Sequence, residues 1–267
     1  MTAQAGVALV TGGGRGIGRS IARALTTAGW SVAVTGRTAA SLEEAVAAGD
    51  AALALVGDAT DRAAVADAVR RTCDELGPLD LVVANAGRFS AAGPVWESDP
   101  DDWWRDVEVN LRGPQLALAA ALGGMVERGS GRIVVLGSGI GTEGSPYSSG
   151  YSTSKAGVMR LVESVAGELE GTGVAVFVIS PGLVKTEMTQ FPEAFLAHYP
   201  EWRGLADAEG VPPERAADLV LALASGRHDV LSGRFVRLTT DLASAADAVA
   251  ADEGAGTLRL QALPTVE

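Results

Sequence analysis

The chain is poor in the residues that carry thiol, imidazole and ammonium chemistry. It holds one cysteine, two histidines and two lysines in 267 residues. A lone Cys73 allows no intrachain disulfide and no cysteine-based metal site, and it points to a reducing cytoplasm. Its place in an amphipathic helical stretch predicts a buried, inert thiol. His198 and His228 lie far apart with no ligand spacing around them, so no metal site is expected. Positive charge is also scarce: 21 Lys and Arg face 33 Asp and Glu, for a net charge of −12. Such a surface repels nucleic acid and anionic membrane, and neither is expected as a partner. Long hydrophobic runs are missing as well. The longest apolar helical stretch, Leu116 to Val126, is too short to span a bilayer, and the opening MTAQAGVALVTGG carries no basic leader.

What is present is an alternation of strand-like and helical runs. VALVT (7–11), SVAVT (31–35), AALALV (51–56), LDLVVANAG (79–87), GRIVVLG (131–137) and GVAVFVIS (173–180) read as strands. They are apolar throughout, as strands covered on both faces must be. Helical spacing fills 16–29, 41–48, 61–76, 101–127, 151–170 and 213–225. Repeated βα units imply an α/β fold, a doubly wound parallel sheet of the Rossmann type, as a single domain over residues 1–240. The aromatic-rich segment 187–211 breaks the rhythm at the carboxyl end of a strand. It reads either as a lid over a ligand crevice or as an ordinary packed helical pair. Residues 241–267 read as a helix followed by a short strand, TLRLQAL, whose role stays open; partner contacts are one option.

Two local patterns carry chemistry. VTGGGRGIG (10–18) lies where the first strand turns into the first helix, the place where backbone N–H groups and a helix N-terminus can receive a pyrophosphate. GYSTSKAG (150–157) sets Tyr151 four residues before Lys155. With three tyrosines and two lysines in the chain, a given spacing arises by chance about 2% of the time. Residues four apart on a helix are neighbours in any case, so the pair alone does not decide.

Taken together, the glycine turn T-G-x-x-x-G-x-G, NAG (85–87), VNLRG (109–113), Ser138 in GRIVVLGSGIG with Tyr151 following it by 13 positions, and SPGLVKT (180–186) resemble the short-chain dehydrogenase/reductase family over roughly residues 6–240. Two departures stand out. Gly137 replaces a common serine, and the glycine pair that often ends the family's chains is missing near LTTDL (238–242). The resemblance implies a catalytic set of Asn110, Ser138, Tyr151 and Lys155. Tyr151 would be the general acid or base, its phenol drawn below its reference value of about 10 by the neighbouring ammonium. Ser138 would hold the substrate oxygen. Lys155 would bind the nicotinamide ribose, and Asn110 would anchor a water leading the proton out past Lys155. The cofactor would be held by Gly12, Gly14, Arg15, Gly16, Ile17 and Gly18 in the turn, and by Asp58 and Ala59 after the third strand. Asn85, Ala86 and Gly87 after the fourth strand would join them, with Pro181, Gly182, Val184 and Thr186 after the sixth.

The second strand ends Thr35–Gly36–Arg37–Thr38 with no carboxylate before Glu43. Arg37, with Arg15, suits the 2′-phosphate of NADP(H); NAD(H) is the alternative, with Arg37 stacked on adenine. The expected substrate pocket of Gly139, Ile140, Tyr147, Leu183, Met188 and Phe191, with Phe89 and Trp96 nearby, is mostly apolar and has no clamp for a carboxylate. Reduction of a medium-sized apolar or aromatic ketone is the favoured activity. The rivals are a 3-oxoacyl-carrier-protein reductase, an NAD-dependent alcohol dehydrogenase, and a nucleotide-sensing regulator without turnover. The first would need basic residues where Glu127, Gly129 and Thr172 stand. The last is opposed by the complete catalytic set. Trp103, Trp104, Leu116, Leu118, Leu161 and Val165 give the helices at 101–127 and 151–170 excess apolar surface, so a homodimer or homotetramer is expected.

Overall fold

The structure, a computed structural model, describes residues 6–190, 193–252 and 254–257. Strands β1 (Val7–Thr11), β2 (Ser31–Gly36), β3 (Leu53–Val56), β4 (Leu79–Ala84), β5 (Gly131–Leu136), β6 (Val174–Ser180) and β7 (Phe235–Arg237) form one parallel sheet in the order β3-β2-β1-β4-β5-β6-β7. The first three strands build outward from β1 in one direction. The chain then crosses to the other side of β1 and builds outward through β4 to β7. The strand ends on either side of that reversal open a crevice at the carboxyl edge of the sheet.

Helices α1 (Gly16–Thr27), α2 (Ala39–Ala47) and α9 (Glu214–Ala224) lie with the first core, which holds Ile21, Leu25, Leu42, Val220, Leu223 and the fully buried Phe177. Helices α3 (Arg62–Leu76), α5 (Gly113–Arg128) and α6 (Ser149–Glu168) enclose the second core, built on Val65, Leu118, Met125, Val158 and Val162. Burial on both sheet faces accounts for the unbroken apolar strands. Caps set several helix starts. Asp61 accepts the N–H groups of Ala63 and Ala64 at the head of α3. Asp99 does the same for Asp101 and Asp102 ahead of α4 (Pro100–Val107), where Pro100 takes a first-turn position that needs no N–H.

The structure departs from the sequence reading at several points. The helical stretch 101–127 is interrupted by a π-turn at Glu108–Arg112, between α4 and α5. The short edge strand β7 was not expected. Cys73 is half-buried at the margin of the second core rather than fully enclosed. Leu118 and Val165 are core residues, so of the apolar side chains assigned to excess surface it is Trp104 that stands most exposed, at 61%. Segment 187–211 forms two short helices, α7 (Glu193–His198) and α8 (Arg203–Asp207), joined by 3-10 turns. The expected terminal helix is present as α10 (Leu242–Ala251). The strand expected after it lies, apart from Thr257, outside the described residues. Beyond α10 the chain returns to β7, where the Gly256 carbonyl accepts the Phe235 N–H at 2.8 Å and covers the sheet edge. No helix among the described residues is long and apolar enough to cross a membrane.

The central position of Phe177 gives a direct test of this packing. Phe177→Ala is expected to cost about 3–5 kcal/mol of unfolding free energy, read from the denaturant midpoint at constant slope. A loss below about 1 kcal/mol would mean that β6 is not the packed centre of the first core.

Candidate active site

The crevice begins at the junction of β1 and β4. The Thr11 hydroxyl accepts the N–H groups of Asn85 and Ala86, each at 3.0 Å, and the Asn85 amide donates to the carbonyls of Thr11 and Gly12. The glycine turn is thereby locked to the end of β4. Gly13 donates to the Thr35 carbonyl at 3.0 Å, which ties the same turn to β2. A Cβ on Gly18 would lie 2.3 Å from the Gly12 carbonyl oxygen, so the turn closes this tightly only with glycine there. Gly16 has φ +55°, a left-handed conformation that glycine adopts without strain. The first turn of α1 has no acidic residue and no side-chain cap, leaving its amide dipoles oriented toward an incoming anion. The Thr186 methyl lies 3.6 Å from where a Cβ on Gly16 would be, so the loop after β6 faces the glycine turn across the crevice. Within that loop Val184 is buried and Gly182 has φ +72°. These features fit a dinucleotide pyrophosphate.

Asp58, expected at the adenine edge, is engaged by neighbouring side chains. Asp58 accepts the Thr60 N–H and hydroxyl on one oxygen and the Arg105 guanidinium on the other at 2.8 Å. Burial alone would raise its pKa, but the Thr60 bonds and the charges of Arg105 and Arg37 outweigh that and hold it below the usual carboxylate range. Ala59 lies against Gly113, whose absent side chain lets α5 approach. An open depression of about 740 Å³ beside Asp58 is lined by Thr60, Asp61, Arg62, Arg105 and Arg112. Arg37 and Arg15 are exposed at the mouth of the crevice. Arg105, which holds Asp58 in place, was not among the expected residues.

At the other end the structure brings Ser138, Tyr151 and Lys155 together. Ser138 follows β5 directly and Tyr151 lies in the first turn of α6, where their hydroxyls hydrogen-bond. Lys155, one turn on, is 4% exposed, and its Nζ donates to the Leu136 carbonyl at 2.7 Å. The same Nζ sits 5.5 Å from the centroid of the Tyr151 ring. The ammonium therefore faces the ring and a carbonyl, and the phenol pKa is raised rather than lowered. Burial pushes the Tyr151 phenol up to about 12; the Ser138 bond acts against this and the Asp106 charge adds to it. Burial likewise pushes Lys155 down to about 8. Throughout the neutral range Tyr151 thus stays a proton donor.

Asn110 is fully buried within the π-turn, a distortion often found at functional sites. Its side chain accepts the Arg88 N–H at 2.9 Å and donates to the Arg88 carbonyl at 2.7 Å. The two bonds tie the side chain to the loop after β4 and use one of its two amide hydrogens and one of its two oxygen lone pairs. The departure at Gly137 also has a steric reason: a Cβ there would lie 2.6 Å from the Val178 side chain.

The expected substrate residues are partly gathered here. Gly139 and Ile140 form the turn capped by Ser138, and Gly139 borders open space. Met188 reaches toward Gly87. Leu183 uses its carbonyl to hold Val211 at 2.8 Å. Tyr147 has φ +63°, an outlier for a bulky residue. Its carbonyl accepts the Gly93 N–H, and its ring packs on Tyr199 of the 187–211 segment at 4.8 Å. Phe191 lies outside the described residues. Trp96 points to solvent, 80% exposed. Phe89 is more central: its ring lies 5.0 Å from Tyr151 and 5.6 Å from Trp202, which is buried in the 187–211 segment. Trp202 belongs to the aromatic set of the lid-like segment, but nothing local in the sequence ties it to Phe89.

A parallel doubly wound sheet with a glycine turn at its switch point, and a half-buried Ser138–Tyr151 pair beside the buried Lys155, defines a nicotinamide oxidoreductase class, and comparison with known proteins agrees. A family model described as short chain dehydrogenase matches residues 6–195. A short chain dehydrogenase of Pseudocercospora fijiensis (strain CIRAD86) is 36% identical over 253 residues, 90% of this chain and 82% of the relative. A 3-oxoacyl-(acyl-carrier-protein) reductase of Vibrio harveyi is 32% identical over 246 residues, 89% of this chain and 97% of the relative. The crystal structure of levodione reductase superposes with a TM-score of 0.78 at 29% identity, covering 86% of this chain and 95% of that one. The chain belongs to the short-chain dehydrogenase/reductase family and is an NAD(P)-dependent oxidoreductase of small molecules.

Burying Lys155 has a thermodynamic cost with a defined pH window. Below about pH 8 the lysine is charged in both the folded and unfolded chain, and the penalty is fully present. As pH rises from about 8 toward the ordinary value of 10.5, only the unfolded chain stays protonated, and the penalty fades. Lys155→Met is therefore expected to be about 1–3 kcal/mol more stable than the parent at neutral pH, with the advantage lost above about pH 10.5. Urea unfolding at several pH values checks this; a variant less stable than the parent at neutral pH would contradict it.

Proposed function

We propose that the protein is an NADPH-dependent carbonyl reductase acting on a medium-sized apolar or aromatic ketone. The observation that carries this reading is the half-buried Tyr151 phenol, hydrogen-bonded to Ser138, with the Phe89 ring against it and Trp202 behind Phe89. When bound, the reduced nicotinamide supplies the hydride. Ser138 and Tyr151 orient the carbonyl oxygen by two hydroxyl hydrogen bonds, and Tyr151 gives its proton to that oxygen as negative charge develops. Lys155 supplies a fixed positive charge behind the phenol and a donor toward a ribose, while Asn110 keeps the loop after β4 closed over the site. Arg15 and Arg37 meet a 2′-phosphate at the mouth of the crevice, where the turn after β2 offers no carboxylate to ribose hydroxyls. Asp58 and Ala59 border the adenine. Segment 187–211 acts as the lid, its Trp202 and Tyr199 resting on Phe89 and Tyr147. Two of the proteins it resembles are named as reductases, which agrees with this direction. Exposed Trp104 and Val126 on α4 and α5 suit pairing with a second copy.

The test is turnover of a ketone panel with NADPH. Tyr151→Phe is expected to lower kcat about 10²–10⁴-fold while leaving NADPH affinity within a few-fold. Turnover that survives the substitution would refute Tyr151 as the proton donor. Separately, Arg37→Ala is expected to weaken NADPH binding about tenfold or more and NADH binding little. Equal losses for both would move the assignment to NAD(H).

A further inference from the structure

We propose that Asp106 is a positioning residue: with Asn110 it clamps residues 88–91 and so fixes Phe89 as the wall of the carbonyl pocket. This rests on the reductase reading above and adds a specificity determinant to it. Asp106, in the last turn of α4, is fully buried. Its Oδ2 accepts the N–H groups of Ser90 at 2.8 Å and Ala91 at 2.9 Å. Its Oδ1 makes no hydrogen bond and faces the Arg88 guanidinium, Nε at 3.4 Å. One turn later Asn110 binds both backbone groups of Arg88. Two side chains four residues apart thus hold the peptide groups on either side of Phe89.

Burying a carboxylate costs several kcal/mol unless its lone pairs are met. An apolar residue at this position would avoid that cost and pack as well, but it would leave the Ser90 and Ala91 N–H groups without their acceptor. The loop these groups belong to carries the ring that touches both Tyr151 and Trp202. The carboxylate therefore trades stability for a fixed Phe89. The charged and titratable groups around it are Arg88 in the loop, Asp102 one turn earlier and also paired with Arg88, and Tyr151 with Lys155 behind it on α6. The negative charge of Asp106 opposes ionisation of the phenol, consistent with a residue placed to serve proton donation.

Three variants test the clamp with NADPH and two probes, acetophenone and 2-butanone. Asp106→Leu and Phe89→Ala are each expected to lower kcat/KM for acetophenone about 10–100-fold, mainly through KM, and for 2-butanone no more than about threefold. Phe89→Tyr should restore the parent ratio. In Asp106→Leu, amide exchange at Ser90 and Ala91 should quicken about tenfold or more while the sheet stays protected. Asp106→Asn keeps the shape and removes the charge, so the acid limb of the reverse, alcohol-oxidising reaction should move to lower pH. Parent-like exchange or a parent-like substrate ratio in Asp106→Leu would overturn the clamp. If that variant does not fold, an unmoved limb in Asp106→Asn together with an unchanged ratio in Phe89→Ala would do so. Lack of any carbonyl turnover by the parent protein would defeat the reductase reading, and the exchange comparison would still decide the clamp.

Discussion

The burial of Lys155 is the constraint on which the catalytic end depends. An ammonium that is 4% exposed needs an acceptor fixed by the fold, and the Leu136 carbonyl at the end of β5 provides it at 2.7 Å. That bond sets the distance between α6 and the sheet, and with it the position of Tyr151 over Ser138. The approach is close enough that a Cβ on Gly141 would fall 2.7 Å from the backbone of Lys155 and Ala156. The start of α6 is held from the other side as well: Trp103 donates to Ser149 at 3.0 Å, and Gly150 packs against the same indole. The unfavourable desolvation of one cation is thus compensated by contacts drawn from β5, α4 and α6.

The cofactor end depends on a different device, the hydrogen bonds that join β1 to β4. They hold the glycine turn and the Asn85–Gly87 turn as one unit at the place where the strand order reverses. The loops after β4 and β6 then face each other across the crevice, with Met188 near Gly87 and Thr186 near Gly16. Tyr151 and the glycine turn are therefore carried by separate parts of the same sheet edge. Among the described residues the tail supplies α10 and the Gly256 carbonyl, which meets β7 at the sheet margin.

Much of this was legible in the sequence because it rests on local signals. Six strands are apolar runs of the right length, and the helices between them show their buried faces at regular spacing. The Tyr151–Lys155 interval, the glycine turn and NAG each carry their own mark. What could not be read depends on contacts between distant residues. Asp106 sits in DDWWRDVEVN among other acids and looks like one more solvated side chain; only the fold turns it inward onto Ser90 and Ala91. The π-turn around Asn110 has an ordinary helical sequence. Strand β7 has three residues and is recognisable only beside β6. The raised pKa of Tyr151 follows from burial, which a four-residue spacing does not encode.

The proposed reduction requires that Tyr151 be held as a protonated phenol, poised to donate. The most direct test is a spectroscopic pH titration of phenolate absorbance in the native protein, compared with Tyr151→Phe. Three tyrosines make the difference readable. A phenol that ionises well above the ordinary value of about 10 is expected in the native protein and not in the variant. A Tyr151 phenolate appearing between about pH 6 and 8 would contradict it, because the residue would then be a base at neutral pH and the pocket one arranged for alcohol oxidation.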